Sequence, residues 1–214
     1  MIKAVIFDLD GTLLDSERVN IGAAVKTFQE LGHPLSREDQ SWLAGRSSKD
    51  FIPVFLKKFG LSGDLFDSLF VKNHENYLEL WDTDLAQLMP GVIGVLHFLL
   101  KQKKILSMAT NNSWPIVERF LTRFCLKNVF THITVGDDVE HRKPHPEIYM
   151  TAHKKLRLSA IEIIAVEDLA TGLISAKEAG LPCAVVPTEW SKDQDFSRAD
   201  YILSSLQELL SIVA

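Results

Sequence analysis

Residues 4–12 read AVIFDLDGT. This short apolar run ends in Asp8, Asp10 and Gly11, and its length is typical of a strand buried on both faces of a parallel sheet. Open α/β sheets bind ligands beyond the carboxyl ends of their strands. We therefore interpret the two carboxylates as a candidate site, where Gly11 lets backbone N–H groups approach a phosphate. A turn with solvated aspartates is the alternative.

Similar apolar runs recur along the chain, and helical patterns separate most of them. Such alternation predicts βαβ units with right-handed crossovers. The fold class is therefore α/β, a doubly wound parallel sheet. The predicted strands are residues 4–9, 105–110, 132–136, 163–168 and 183–187, with 201–203 as an edge strand.

The interval between the first two predicted strands is unusually long. It contains several helical patterns, such as Val19–Leu31, and no clear strand. One crossover helix needs far fewer residues. We predict that residues 16–84 form an inserted all-helical cap domain, and that residues 1–15 and 85–214 form a Rossmann-like core.

The composition is that of a globular protein. The chain has 214 residues, of which 46% are hydrophobic and 24% charged, and a net charge of −5. Nucleic-acid binders usually carry a basic surface, so we expect no nucleic-acid partner. Cys125 and Cys183 show no CxxC spacing and are interpreted as buried thiols in a reducing compartment. Without a signal-peptide layout or a membrane span, we expect a cytoplasmic protein, a monomer or weak dimer.

Polar residues follow the second predicted strand. Thr110, Asn111 and Asn112 offer a hydroxyl and backbone N–H groups that can hold a phosphate oxygen. Threonine and asparagine also favour turns, and Ser113 has the character of a helix cap. An ordinary turn therefore stays open as the alternative.

Lys143 lies in the stiff segment HRKPHP, residues 141–146. A lysine held there can neutralise a phosphate and the charge of a nucleophile, whereas a solvated surface lysine is the alternative. His141 and His145 lack supporting cysteines or a matched histidine pair. We interpret both histidines as structural or solvated.

Two adjacent acids, Glu167 and Asp168, end the predicted strand IIAVED. Buried carboxylates are costly unless a cation compensates them. Oxygen ligands beside a phosphate favour Mg²⁺ over zinc. The alternative is a polar strand end without a metal.

Together these groups resemble the motifs of the haloacid dehalogenase superfamily, and the resemblance covers nearly the whole chain. The segment DLDGTLLDSE, the threonine at position 110, KPHPEIY and VED-x-x-x-G match the family's motifs in order. The position of the helical insertion is similar to that of the cap in the β-phosphoglucomutase-like branch. The resemblance implies a Mg²⁺-dependent phosphatase acting on a small phosphate ester.

The resemblance also implies roles for individual residues. Asp8 would be the nucleophile that forms an aspartyl-phosphate, and Asp10 the general acid and base. Asp8, Asp168 and the Asp10 carbonyl would bind Mg²⁺, with Glu167 supporting them. The remaining residues implied to contact the phosphoryl group or substrate are Thr110, Lys143, Gly11 and Asn111.

The predicted cap contributes a further hypothesis. Gly45 and Arg46 lie between two predicted helices, in a segment that resembles the specificity loop of the β-phosphoglucomutase branch. We hypothesise that both contact the substrate. The alternative is a solvent-exposed arginine.

Two other functions remain open. A sugar-phosphate mutase is one, although Asn20 stands where the resembled mutase has histidine. A catalytically silent binding protein on the same fold is the other. Leu169 also departs from the family pattern, in which serine often follows the paired acids, and we expect this to alter local packing while leaving metal binding intact.

Overall fold

The computed structural model describes residues 1–43 and 45–213. The strands follow one another as β1 (Ala4–Phe7), β2 (Leu14–Asp15), β3 (Gln87–Leu88), β4 (Ile105–Ala109), β5 (His132–Thr134), β6 (Ile163–Glu167), β7 (Cys183–Val185) and β8 (Tyr201–Ile202). The α-helices are α1 (Glu17–Glu30), α2 (Arg37–Leu43), α3 (Ser48–Lys58), α4 (Phe66–Trp81), α5 (Val92–Lys101), α6 (Trp114–Arg123), α7 (Glu147–Leu156), α8 (Ala170–Glu178) and α9 (Leu209–Val213). Short 3-10 turns occur at Gly63–Leu65, Gly136–Asp138, Ala160–Glu162 and Leu206–Glu208. Among the described residues, no helix has both the length and the apolar character that crossing a membrane requires.

The chain divides into two compact units. Met1–Leu14 and Leu88–Ala214 form the first, which we call the core unit. Asp15–Gln87 form the second, which we call the helical unit because α1 to α4 lie in it. The chain crosses from one unit to the other at Leu14–Asp15 and at Gln87–Leu88. These residues are the strands β2 and β3, which pair as a two-stranded sheet.

The core unit is built on a six-stranded sheet in the order β5-β4-β1-β6-β7-β8. All of its neighbouring strands pair in parallel. The predicted fold class, a doubly wound parallel sheet, is confirmed. Phe7 at the end of β1 lies beside Met108 of β4 and Val166 of β6. The chain order reverses at β1, so the crevice beyond β1 is the position where such sheets bind ligands.

Burial explains why these residues form the central strands. The side chains of β1 and those of β6 are buried, as expected when helices cover both faces of a sheet. Ile6 and Ala165 belong to an apolar cluster that also includes Ile148 and Tyr149 of α7. Packing of α7 on the sheet thereby fixes the segment that precedes it.

Each predicted strand extends beyond the observed one at its carboxyl end. The prediction of 4–9, for example, was wrong for the last two residues, because β1 ends at Phe7. The carbonyl of Leu9 accepts the N–H groups of Leu13 and Leu14, both at 2.9 Å. These bonds close a turn at residues 9–14, and the turn diverts the chain from the sheet.

The two cysteines differ in their environment. Cys183 is buried as predicted, but Cys125 is exposed, so the prediction for Cys125 was wrong. Cys125 follows α6 with a φ of 57°, the left-handed conformation in which helices commonly end. The chain turns away from the helix there, which leaves the thiol at the surface.

The helical unit has an aromatic core of its own. Phe28 of α1 packs edge-on against Phe55 of α3, with ring centroids 5.3 Å apart. Phe59 lies 5.9 Å from Phe28. Leu43 and Leu69 belong to the same buried cluster, so α1 to α4 share one apolar core.

A reciprocal cap begins α2. The N–H of Asp39 donates to Ser36 Oγ at 3.1 Å, and the N–H of Ser36 donates to Asp39 Oδ2 at 3.0 Å. These bonds satisfy helix-end donors that would otherwise lack partners. Lys58 at the end of α3 pairs with the same carboxylate. One buried acid therefore joins the start of α2 to the end of α3.

Asp39→Ala is expected to lower the free energy of unfolding by about 1–2 kcal/mol, because the cap and the ion pair are lost together. Burial raises the pKa of Asp39, but hydrogen bonds from Lys58 and Ser36 outweigh it and leave the pKa lowered. Its stabilisation is therefore complete above the ordinary aspartate pKa of about 3.9 and disappears as the pH falls through the lowered folded value. Urea unfolding at several pH values measures this difference.

Glu38→Ala is the matched control, since Glu38 also lies in the first turn of α2 but is exposed. Equal destabilisation by both substitutions, or a difference that does not shrink in acid, would contradict the assigned role of Asp39.

Candidate active site

Lys143 lies at the centre of a buried polar network beyond β1. Its ammonium donates to Asp8 Oδ1 at 2.5 Å, to Glu167 Oε1 at 2.7 Å and to the carbonyl of Ala109 at 2.8 Å. The Lys143 side chain is only 5% exposed. The alternative of a solvated surface lysine is therefore wrong, and the structure brings Asp8, Lys143 and Glu167 together.

Asn111 holds the main chain of Lys143. Its Oδ1 accepts the N–H of Lys143 at 2.9 Å, and its Nδ2 donates to the carbonyl of Lys143 at 3.3 Å. This paired contact joins the end of β4 to the segment before α7. Because the side chain of Asn111 is used in this way, its direct effect is to position Lys143, and its predicted contact with substrate stays a prediction.

Tyr149 is a member of the network that the sequence did not indicate. Its hydroxyl donates to Glu167 Oε1 at 2.5 Å, and the Lys143 ammonium lies 4.9 Å from the centre of its ring. The side chain is fully buried on α7. Tyr149 thus contacts the lysine through its ring and the carboxylate through its hydroxyl.

Two glycines allow the acids of β6 to pack closely. A Cβ at Gly172 would lie 2.0 Å from Glu167 Oε2, and a Cβ at Gly11 would lie 2.0 Å from Asp168 Oδ2. Gly11 also has a φ of 72°, which side chains other than glycine rarely adopt. The absence of a side chain at both positions leaves space for the two carboxylates.

Burial and charge shift the pKa values of the network. Burial raises the pKa of Asp168 well above its ordinary value, and the negative charges of Asp8 and Glu167 raise it further. Burial also raises the pKa of Glu167 to about 7, although Lys143 opposes the shift. Burial alone would lower the pKa of Lys143, but Asp8 and Glu167 outweigh it and raise the pKa. Ionising all three acids together would therefore leave more negative than positive charge in the site.

The acidic cluster fits a divalent cation. Oxygen atoms of Asp8, Glu167 and Asp168 all lie within 4.8 Å of one another. Asp168 Oδ1 is buried, and no hydrogen-bond partner for it occurs in the part of the chain that the structure describes. Carboxylate oxygens are ligands that hard cations prefer. A cation would satisfy the buried oxygen and balance the excess negative charge.

Asn112 joins two other predicted site residues. Its Nδ2 donates to Asp10 Oδ2 at 2.5 Å, and its N–H donates to Thr110 Oγ1 at 3.2 Å. Thr110 is fully buried where β4 ends. The sequence placed Asn112 near the site without assigning a role to its side chain. The structure shows that this side chain orients the carboxylate of Asp10.

Leu169 begins α8 without a side-chain cap. Gln194 supplies an acceptor instead, because its Oε1 accepts the N–H of Ala170 at 2.8 Å. The start of α8 is therefore supported by a residue 24 positions further along the chain. The expected effect of Leu169 on local packing stays a prediction.

The remaining predicted residues, Gly45 and Arg46, belong to the helical unit. The N–H of Gly45 donates to Glu17 Oε1 at 3.0 Å. The Arg46 guanidinium lies 4.2 Å from the centre of the Trp42 ring and donates to the Trp42 carbonyl at 2.5 Å. These contacts join Gly45 to α1 and Arg46 to α2, and a contact of either residue with substrate stays a prediction.

Comparison with known proteins identifies the family. A family model for haloacid dehalogenase-like hydrolases matches residues 5–186. The chain belongs to this family. Protein CbbY of Cereibacter sphaeroides is 33% identical, with 98% of this chain and 94% of the relative covered. Validoxylamine A 7′-phosphate phosphatase of Streptomyces hygroscopicus subsp. limoneus is 30% identical, with 98% and 96% covered.

Solved structures of this haloacid dehalogenase-like family agree with the fold. CbbY from Rhodobacter sphaeroides in complex with xylulose-(1,5)bisphosphate matches with a TM-score of 0.79 and 30% identity, over 98% of this chain and 96% of that chain. The match spans both units of the present chain. The present chain is a hydrolase of this family.

Tyr149→Phe is expected to weaken divalent-cation binding about tenfold, since changes to residues that orient metal ligands cost about 10- to 100-fold in affinity. Phenylalanine keeps the ring beside Lys143 and removes only the hydroxyl that donates to Glu167. Calorimetric titration with Mg²⁺ measures the change. Tyr201→Phe is the control, because Tyr201 is exposed. An unchanged affinity in Tyr149→Phe would show that the hydroxyl does not support the acidic cluster.

Proposed function

We propose that the protein is a Mg²⁺-dependent phosphatase that hydrolyses a small phosphorylated metabolite through an aspartyl-phosphate on Asp8. One observation carries this proposal. A buried lysine contacts Asp8 beside the acidic cluster, so a nucleophile, a phosphate-binding ammonium and metal ligands converge at the ends of the neighbouring strands β1 and β6. Phosphoryl transfer depends above all on such positioning and charge neutralisation.

Asp8 is the proposed nucleophile. Lys143 binds its Oδ1, which leaves the other carboxylate oxygen to attack phosphorus in line. The new bond from oxygen to phosphorus forms as the bond to the leaving alkoxide breaks. Water then attacks the same phosphorus, the bond to Asp8 breaks and inorganic phosphate is released. The covalent intermediate divides one difficult displacement into two easier ones.

Asp10 is the proposed general acid and base. It gives a proton to the leaving alkoxide in the first step and takes one from the attacking water in the second. Asn112 holds one of its carboxylate oxygens. This contact supports a fixed orientation, which a group that transfers protons in both directions requires.

Mg²⁺ would be held by Asp8, Asp168 and the backbone carbonyl of Asp10, with Glu167 supporting them. The unpartnered Asp168 Oδ1 supports this set, since a cation is the partner that a buried carboxylate oxygen needs. When bound, the ion would neutralise charge on the phosphoryl oxygens. The substrate and the nucleophile could then approach each other more closely than their mutual repulsion otherwise allows.

The phosphoryl oxygens would be held by protein donors beyond the strand ends. We assign Lys143 and Thr110 to this role, and assign Gly11 and Asn111 as backbone N–H donors. Gly11 follows β1, and Thr110 and Asn111 follow β4, the adjacent strand in the sheet. Lys143 contacts Asp8 beyond the end of β1. These positions support the assignment. Fixed donors already face the phosphoryl oxygens, so they can stabilise the charge on these oxygens in the transition state without rearranging.

We propose a sugar phosphate or similar phosphomonoester as substrate. Two phosphorylated compounds support this class: the validoxylamine A 7′-phosphate for which one relative is named, and the xylulose bisphosphate in complex with CbbY. Residues 1–15 and 85–214 would be the catalytic core and residues 16–84 the cap that selects substrate. We further propose that the protein is cytoplasmic and a monomer or weak dimer.

Two alternatives carry less support. A mutase of the β-phosphoglucomutase type would need the aspartyl-phosphate to persist while an intermediate reorients, and exposed Asn20 stands where that mutase has histidine. A silent binding protein would have no need to keep both Asp10 and the buried Lys143. Sugar bisphosphate should therefore yield inorganic phosphate, and accumulation of an isomerised sugar phosphate would favour the mutase.

Asp8→Asn is expected to abolish phosphate release from phosphorylated metabolites in the presence of Mg²⁺, because the amide cannot displace the leaving group. Asp10→Asn should lower kcat by about 10²- to 10⁴-fold, the typical contribution of general acid–base catalysis. A malachite-green assay over a panel of sugar phosphates measures both effects, and circular dichroism checks folding. Asp193→Asn, an exposed aspartate, is the control. Turnover by Asp8→Asn at the wild-type rate would overturn the proposed mechanism.

Arg46→Ala is expected to raise KM severalfold for the preferred substrate with little change in kcat, because Arg46 is proposed to bind the non-reacting part of the substrate. Steady-state kinetics separate the two constants. Arg37→Ala in the same unit, an exposed arginine, is the control. An unchanged KM in Arg46→Ala would contradict the proposed contact with substrate.

A further inference from the structure

We propose that His141, His145 and Glu147 form a second metal site, for Zn²⁺ or a similar transition-metal ion, on the surface between β5 and α7. The site lies in the core unit and shares no residue with the acidic cluster. It is independent of the proposed phosphatase activity. Both histidines were interpreted from the sequence as structural or solvated, and the fold adds Glu147 as a third possible ligand.

The three side chains already converge. His141 Nδ1 lies 3.1 Å from Glu147 Oε2, and His145 Nδ1 lies 3.8 Å from the same oxygen. One possible ligand atom from each residue lies within 4.8 Å of the other two. Tetrahedral zinc with bonds of about 2.0–2.1 Å separates its ligand atoms by roughly 3.4 Å. Small side-chain rotations therefore suffice, and water can occupy the fourth position.

The main chain that carries these ligands is held in place. Glu147 accepts the N–H of Glu140 through Oε1 and the N–H of His141 through Oε2, both at 3.0 Å. The N–H of His145 donates to the Arg142 carbonyl at 3.0 Å. Ser175 Oγ on α8 donates to the His145 carbonyl at 2.7 Å. An ion would therefore meet a preformed backbone and would order only exposed side chains.

The ligand chemistry separates this site from the acidic cluster. Two imidazoles and one carboxylate suit zinc, nickel or copper, whereas carboxylate oxygens alone suit Mg²⁺. The histidine side chains are 57% and 51% exposed, so an ion reaches them from solvent. Binding would replace the weak contact at 3.3 Å between the Glu147 N–H and His145 Nδ1. It would also bridge the two ends of the segment that carries Lys143.

Calorimetric titration of the full chain with Zn²⁺, at saturating Mg²⁺, tests the proposal. Excess Mg²⁺ reduces competition from the acidic cluster. The wild type is expected to bind one equivalent, and His141→Ala and His145→Ala should each weaken binding at least tenfold. His97→Ala is the matched control, because His97 is exposed on α5 of the same unit.

Co²⁺ provides a spectroscopic readout that depends on the ligands. Co²⁺ added to the wild type should produce visible absorption bands typical of nitrogen and oxygen coordination, and these bands should be lost in the double variant with His141→Ala and His145→Ala. Equal Zn²⁺ affinity in the wild type and both single variants would overturn the proposal. So would an absence of Zn²⁺ binding to the wild type at saturating Mg²⁺.

Discussion

The buried ion pairs of Lys143 with Asp8 and Glu167 are the constraint on which the rest of the structure at this crevice depends. A buried ammonium is tolerated only when its partners are in place, and removing one partner of such a pair is strongly destabilising. The end of β1, the end of β6 and the segment before α7 must therefore arrive at the same point. Asn111 and Tyr149 hold the two sides of this junction, so the packing of the core and the geometry of the site are satisfied together.

One lysine does not balance three buried acids, and this imbalance connects stability to ligand binding. The raised pKa values of Glu167 and Asp168 reflect the cost of ionising them together. A cation that relieves this cost would bind the folded chain and not the unfolded one. Part of the cost of ionising the acids together would then contribute to the free energy of cation binding. Gly11 and Gly172 make room for these acids, because a Cβ at either position would overlap a carboxylate oxygen.

The strands and the acids at their ends were predictable, because buried parallel strands have a distinct apolar composition and their carboxyl ends share one edge. The ends of the strands were less predictable, since a turn such as the one closed by Leu9 depends on hydrogen bonds that composition does not reveal. The side-chain contacts of Asn112 and Tyr149 were not predictable, because an asparagine in a turn and an aromatic residue on a helix are common without any polar role. The exposure of Cys125 was not predictable either, because it depends on the left-handed conformation that Cys125 itself adopts after α6.

Gln194 bonds to the first N–H of α8, immediately after the acidic residues of β6. The start of this helix therefore relies on a residue 24 positions away in the chain. The hydrogen-bond acceptor that a neighbouring residue usually supplies at a helix start comes here from a distant segment. Because Gln194 contacts a main-chain N–H and not the side chain of Leu169, this support for the start of α8 does not depend on a capping side chain at position 169.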